Sequence, residues 1–223
     1  MLFRSQLNPV TGQPFIPAAN QANFSVASNG WVVYSNPALP NYKQPYVTTS
    51  QFSFGDPNPA FNMAFINELN YDGWLTFSMQ WDWINKSHLY NQTKEWMYRD
   101  GIHKDYDNAI SIGGQTGAWT AFYRGVYAQV SRNGTKNYFY EDATFARLRN
   151  LAIGADLKKF IPIKGVSKMQ LLFTGRNLLT FSGYTGLDPE ISSGSSNSAW
   201  DRGVDHNSIP NIKSYQISLN LGF

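Results

Sequence analysis

The 223-residue chain has no cysteine, which excludes a disulfide scaffold and zinc–thiolate sites. It is poor in charge: Asp, Glu, Lys and Arg make up 15% of its residues, against roughly 25% in typical soluble domains. Its 18 basic and 15 acidic residues leave a formal charge of +3, and the cations are scattered, so no nucleic-acid partner is expected. The close groupings are Arg147 with Arg149, and Lys158 and Lys159 with Lys164. No apolar run approaches the ~18 residues of a membrane helix, and mean hydropathy is −0.38. Residues 1–14 lack the apolar stretch of a signal peptide. Helical periodicity is scarce, because Asn, Gly and Pro interrupt nearly every long window. What is abundant is aromatic: 15 Phe, 13 Tyr and 7 Trp, 16% of the chain. That balance points to β-structure at a lipid or sugar surface.

Alternation with period two is the dominant pattern. Between Gly73 and Ile84, Leu75, Phe77, Met79, Trp81 and Trp83 share one face, and Thr76, Ser78, Gln80 and Asp82 the other. Before it, Phe61, Met63, Phe65, Leu69 and Tyr71 oppose Asn62, Glu68 and Asn70. Only Asp72-Gly73, a type I′ turn dipeptide, separates the two runs, which predicts a tight hairpin. Leu151, Ile153, Ala155 and Leu157 alternate again, with Arg147 and Arg149 on the apolar side of that register. Either a bulge shifts the phase there, or the arginines lie above the apolar band. A fourth strand over 168–181 groups Met169, Leu171, Phe173, Leu179 and Phe181 against Gln170, Thr174 and Arg176. A fifth carries Tyr215, Ile217, Leu219, Leu221 and Phe223 against Ser214, Gln216, Ser218 and Asn220.

The connections are lopsided. Asp72-Gly73 and the 158–167 segment are short, whereas 85–137 and 182–211 are far longer than the ~12–15 residues at which structureless loops become uncommon. Short turns at one end and long loops at the other are the pattern of an outer-membrane barrel. With a periplasmic C-terminus, strand parity places both long loops outside the cell. Five strands are too few, and odd, for a complete barrel of at least ~8. Residues 1–60, proline-rich and without sustained alternation, read mainly as a further extracellular loop, and 61–223 as barrel strands. The alternation alone also fits a soluble β-sandwich with one face in its core. A carbohydrate-binding module of that kind is the competing reading.

At Asn177-Leu178-Leu179-Thr180-Phe181, Tyr184-Thr185-Gly186-Leu187-Asp188-Pro189-Glu190 and the alternating end at Phe223, the sequence resembles the C-terminal part of SusC/RagA-type TonB-dependent outer-membrane transporters. Gly55-Asp56-Pro57-Asn58-Pro59, Leu89-Tyr90-Asn91-Gln92-Thr93 and the 140–150 segment keep the same order over 55–223. The resemblance implies an all-β fold: an antiparallel transmembrane segment, the C-terminal strands of a barrel of about 22, with long extracellular loops. It implies a Bacteroidota-type outer membrane as the location, and import of oligosaccharides or peptides. The partners it implies are the barrel's remaining strands and plug, TonB through that plug, a SusD-like surface lipoprotein and outer-membrane lipid. Gln80, Asp82 and Arg176 would then face the lumen, and Tyr215, Ile217, Leu219, Leu221 and Phe223 would form the C-terminal assembly signal.

Neither reading is an enzyme, and no cofactor or metal is expected. His88, His103 and His206 lack metal-ligand spacing, and neither HExxH nor GxSxG occurs. Asp188 and Glu190 could act as paired carboxylates; a loop motif with Pro189 fixing the backbone is the simpler reading. Asp105, Asp107 and Asn108 resemble a fragment of a calcium loop without its Gly and distal Glu. Trp96, Trp119, Phe122, Tyr123, Tyr127 and Trp200 fall in the long loops, where aromatics stack on ligands or staple loops together.

Overall fold

A computed structural model describes residues 7, 8, 11–47, 55–117, 136–191 and 202–223. In chain order its elements are β1 (Phe24–Val26), β2 (Val32–Tyr34), β3 (Phe61–Tyr71), β4 (Leu75–Asn85), β5 (His88–Asn91), α1 (Gln92–Asp100), β6 (Ile110–Ile112), β7 (Gln115–Gly117), β8 (Tyr140–Asp142), β9 (Phe145–Asp156), β10 (Lys168–Ser182), β11 (Val204–Asp205) and β12 (Ser214–Gly222). The chain divides into two units. One comprises Met1–Phe54 and Asn91–Tyr140, the other Gly55–Tyr90 and Glu141–Phe223.

The first unit falls largely in stretches that the sequence suggests are loops, yet it has structure of its own. Hairpins β1–β2 and β6–β7 each pair three residues per strand. Helix α1 starts where the Asn91 side chain accepts a hydrogen bond from the Lys94 backbone N–H at 2.9 Å. It ends at Gly101, whose φ of 73° suits the left-handed C-cap. Tyr98, fully buried, hydrogen-bonds Asp105, and its hydroxyl lies 2.7 Å from that of Tyr138. Asp105 is thereby a partner of tyrosines and of His103.

The second unit is built on a five-stranded antiparallel sheet in the order β12-β10-β9-β4-β3. All five strands expected from the alternation are present, within a few residues of their expected ends. At the β3–β4 turn, Asp72 and Gly73 have φ of 48° and 69°, the two left-handed positions a type I′ turn requires. The Trp74 N–H closes it on the Tyr71 carbonyl at 3.2 Å.

Directly opposed residues of antiparallel neighbours share a face, so the register assigns both faces. One carries Phe61, Met63, Phe65, Leu69 and Tyr71 beside Trp83, Trp81, Met79, Phe77 and Leu75. It continues through Leu148, Leu151 and Ile153 of β9 and Leu171, Phe173, Leu179 and Phe181 of β10 to Ile217, Leu219 and Leu221 of β12. The opposite face carries Asn62, Glu68, Thr76, Ser78, Gln80, Asp82, Asn150, Thr174, Arg176, Gln216 and Ser218.

Much of the apolar face is uncovered: Phe65 is 52% exposed, Phe181 61%, Leu219 56% and Ile217 75%. A sandwich strand would bury those side chains against a second sheet. Aromatic contacts sit at both ends of the face. Phe61 meets Trp83 at 5.0 Å and Trp81 stacks on Phe181 at 6.0 Å. At the turn end, Trp74 lies between Tyr71 and Phe160. A strand of this length spans ~34 Å along its axis, and a tilt of about 40° projects that onto ~26 Å, close to the ~25 Å apolar band of outer-membrane barrels.

Candidate functional site

The out-of-phase arginines build the most ordered polar site of the sheet. Between β4 and β9 the register shifts from Gln80–Asn150 to Trp81–Leu148, so Arg149 is one extra residue in β9. This bulge moves Arg147 onto the polar face opposite Asp82 and leaves Leu148 on the apolar one. Strand β10 follows the bend with its own irregularity between Arg176 and Leu179. There Asn177 takes a φ of 52°, a left-handed position that Asn tolerates better than most residues.

Arg147, its side chain only 3% exposed, uses all three nitrogens of its guanidinium. It donates to Thr180 Oγ1 at 3.0 Å, Glu190 Oε2 at 2.6 Å and Asp188 Oδ1 at 2.6 Å. Arg149 donates to Asp82 Oδ2 at 2.8 Å and to both carboxylate oxygens of Glu190 at 2.9 and 2.6 Å. From the other side, Asn211 donates its backbone N–H to Asp188 Oδ2 at 3.0 Å and its side-chain amide to Glu190 Oε2 at 2.9 Å. Gln80 extends the network, donating to Asp82 at 2.8 Å and accepting from Asn150 at 3.1 Å.

Two arginines and three carboxylates therefore clamp both ends of the 183–213 connection onto the bulged strand. Burial alone would raise the pKa of Asp188, but the Arg147 guanidinium and the backbone N–H groups of Glu190 and Asn211 outweigh it. The carboxyl is held below its ordinary range. Asp188 and Glu190 thus act as anchors to arginine, in line with the loop-motif reading of this segment. Nearby, the buried Tyr184 hydroxyl donates to Asp205 at 2.7 Å, and burial followed by this bond pushes its pKa well above the usual tyrosine value.

Of the residues singled out in the sequence, Gln80, Asp82 and Arg176 share the polar face, and Asn150 pairs with both Gln80 and Arg176. Tyr215, Ile217, Leu219 and Leu221 share the apolar face, and Phe223, beyond β12, is 89% exposed. Trp96 lies on α1, half-buried, with the Arg99 guanidinium 5.2 Å from its ring centre. Trp119, Phe122, Tyr123, Tyr127 and Trp200 lie outside the described residues. Sequence reasoning did not join Arg147 and Arg149 to Asp188 and Glu190. The signal was the break in phase at two cations, followed some forty residues on by two unpaired acids.

A TonB-dependent receptor of Formosa agariphila, named P3, is 28% identical over 180 residues, 79% of this chain. Two solved structures, one of the RagAB peptide importer in its open-open state and one of the RagAB peptide transporter, each superpose with a TM-score of 0.51 over 90% of the chain at 19% identity. The chain resembles a SusC/RagA-type TonB-dependent transporter. It spans 18% of the Formosa receptor and 22% of the matched RagAB chains. At that identity, the likeness to the solved structures is one of fold. No family model matches the sequence.

Proposed function

We propose that this chain is the C-terminal strand segment of a TonB-dependent outer-membrane transporter that imports oligosaccharides or peptides. The observation that carries the reading is the five-strand apolar face, exposed across the sheet and backed by a polar face. A strand can cross hydrocarbon only if its backbone groups are paired and its lipid-facing side chains are apolar. Strands β3 and β12, at the edges of the sheet, would pair with further strands of the same barrel, because closure removes edges. Gln80, Asp82 and Arg176 would then line the lumen. The 85–137 and 182–211 connections and residues 1–60 would face the outside, where a SusD-like lipoprotein would meet them, and energy would come through TonB and the plug. The peptide-importer name of the RagAB neighbours supports transport of a nutrient.

The test is uptake. In cells carrying the parent transporter, removal of residues 55–223 should abolish uptake of its peptide or glycan and the heat-modifiable outer-membrane form together. Stable, monodisperse behaviour of this chain in buffer without detergent would overturn the reading in favour of a soluble module.

A further inference from the structure

The unit formed by Met1–Phe54 and Asn91–Tyr140 holds a cleft of about 260 Å³ that transport as proposed does not use. Its walls come from three places in the chain. The turn between β1 and β2 closes through the Ala27 N–H on the Trp31 carbonyl at 2.8 Å, with Gly30 at a φ of 86°, and supplies Ser28, Asn29 and Trp31. A 3₁₀ turn over Lys104–Asp107 supplies Asp105 and, just after it, Asn108. Tyr138 completes the wall. Ser28 ties the β1–β2 turn to β6: its N–H donates to the Ser111 carbonyl at 3.2 Å, and its Oγ accepts the Ser111 N–H at 2.9 Å. The Trp31 and Tyr138 rings meet edge to face, 4.2 Å apart at 73°, and make an aromatic corner.

The polar groups of the cleft are partly committed and partly open. Asp105 Oδ2 accepts from the Tyr98 hydroxyl and from that of Tyr138 at 3.4 Å, and lies 3.3 Å from His103 Nδ1. These neighbours hold the carboxylate in one orientation, while Oδ1 has no hydrogen-bond partner among the described residues. Asn29 Oδ1 accepts the Trp31 N–H at 3.3 Å, which leaves its amide N–H groups to donate. The Ser28 hydroxyl keeps its proton to donate, and the Asn108 side chain has no hydrogen bond among the described residues. Lys94 places a cation 4.9 Å from the centre of the Tyr138 ring, so the carboxylate is not the sole charge near the cleft.

We propose that this cleft binds one neutral pyranose ring, its C–H face against Trp31 and its hydroxyls bonded to Asp105, Asn108, Asn29 and Ser28. The inference deepens the import reading above, on which it rests only for the cleft's place outside the cell. The mixed inventory is what selects the ligand. Asp105 Oδ1 accepts, Ser28 and Asn29 donate, and Asn108 does both. An ammonium only donates and a carboxylate only accepts, whereas each sugar hydroxyl does both and satisfies the whole set. An aromatic wall gives the apolar face of such a ring its contact. The volume falls just below the ~300–1,000 Å³ of pockets for drug-sized ligands, which suits a single ring.

The experiment measures binding of neutral methyl pyranosides (gluco, galacto, manno and xylo) to the purified parent transporter in a detergent without a sugar headgroup. Titration calorimetry gives the affinity, and saturation-transfer NMR shows which ring protons touch the protein. At least one glycoside should bind, with saturation strongest on one C–H face. Asn108→Ala should weaken it about tenfold by removing a hydrogen bond, and Trp31→Ala about 30-fold by removing the aromatic wall. Asn108 is exposed, so its variant carries the test if Trp31→Ala fails to fold. Tyr42→Ala, in the same unit but outside the cleft, should leave the affinity unchanged. Glucuronate should bind more weakly than the methyl glucoside, because its carboxylate faces Asp105. Competition by soluble oligosaccharides marks the ring as cargo, and competition by lipopolysaccharide alone marks it as a cell-surface sugar; both support the site. No glycoside binding, full affinity in Asn108→Ala, equal loss in Tyr42→Ala, or tighter binding of glycyl-lysine than of every glycoside would overturn the proposal and leave the membrane reading standing. Detergent-free stability of the chain with sugar binding retained would overturn transport and keep the cleft.

Discussion

Arg147 offers the sharpest test of how the bulge anchors the 183–213 connection. Replacing it with Met keeps much of the side chain's apolar bulk and removes three hydrogen bonds, two of them to carboxylates at 2.6 Å. Asp188, 5% exposed, would retain only neutral backbone donors from Glu190 and Asn211. Removing one member of a buried pair typically costs about 3–5 kcal/mol, most of it from the stranded partner charge. Arg147→Met should therefore destabilise the protein by roughly that amount. Asp188→Asn added to it should recover part of the loss, because the stranded charge is gone while the shape remains. Arg149→Met should cost less, about 1–2 kcal/mol, since its ion pairs are partly solvated at 23% exposure. Denaturant titration of the bilayer-embedded protein reads the total. Hydrogen exchange at the Glu190 and Asn211 amides reads the local release. A cost below about 1 kcal/mol for Arg147→Met, with both amides still protected, would refute the idea that the guanidinium holds the loop.

Because the pKa of Asp188 is depressed on folding, its contribution is complete above the unfolded value of about 3.9 and is lost as pH falls through the lower folded value. Proteolysis at 183–191 should thus stay slow at pH 5 and accelerate only below about pH 4; release at pH 5–6 would contradict this. Leu219→Arg should destabilise the embedded protein by about 2–4 kcal/mol and Ser218→Arg by far less, since the register puts them on the apolar and polar faces. Equal costs in a bilayer refolding assay would count against a lipid-facing row. Gly154→Ala places a Cβ 2.5 Å from Thr76 Oγ1 and should cost about 1–3 kcal/mol through overpacking, partly relieved by Thr76→Ala. Neutral behaviour in the same titration would show that Thr76 moves aside freely. Tyr184→Phe should cost about 1.5–3 kcal/mol by removing a buried bond to a carboxylate, measurable as a drop in the denaturation midpoint.

The five long strands were legible because each places apolar residues at every second position, a signal that needs no knowledge of the partner strand. Even the bulge left a trace, since Arg147 and Arg149 sat on the wrong side of a register that resumed at Leu151. The sequence could not say which carboxylates they meet. Asp188 and Glu190 lie some forty residues away in a segment without period, and only the bend of β10 at Asn177 and the return of Asn211 bring them into reach. The structure within 85–117 was hidden for a different reason. Helix α1 has only nine residues and the strands β6 and β7 three each, too short for any period to stand out, and their stability rests on caps and on Tyr98 with its neighbours.

The neighbour-to-neighbour strand order also dictates a sequence of events as the sheet forms. Hairpins β3–β4 and β9–β10 close over short turns, so each can form early. Joining β4 to β9 spans roughly sixty residues, more than two doublings beyond the 157–167 turn, which adds about 1.5 kcal/mol of closure entropy. The sheet should therefore assemble as two preformed hairpins that dock, with β12, whose connection to β10 is shorter than that between β4 and β9, joining its hairpin before the docking. The Asp82–Arg149 pair lies on the seam between those hairpins. It is a latch that can close only after both halves have arrived in register, and a one-residue slip would turn Asp82 to the opposite face, where it could not engage.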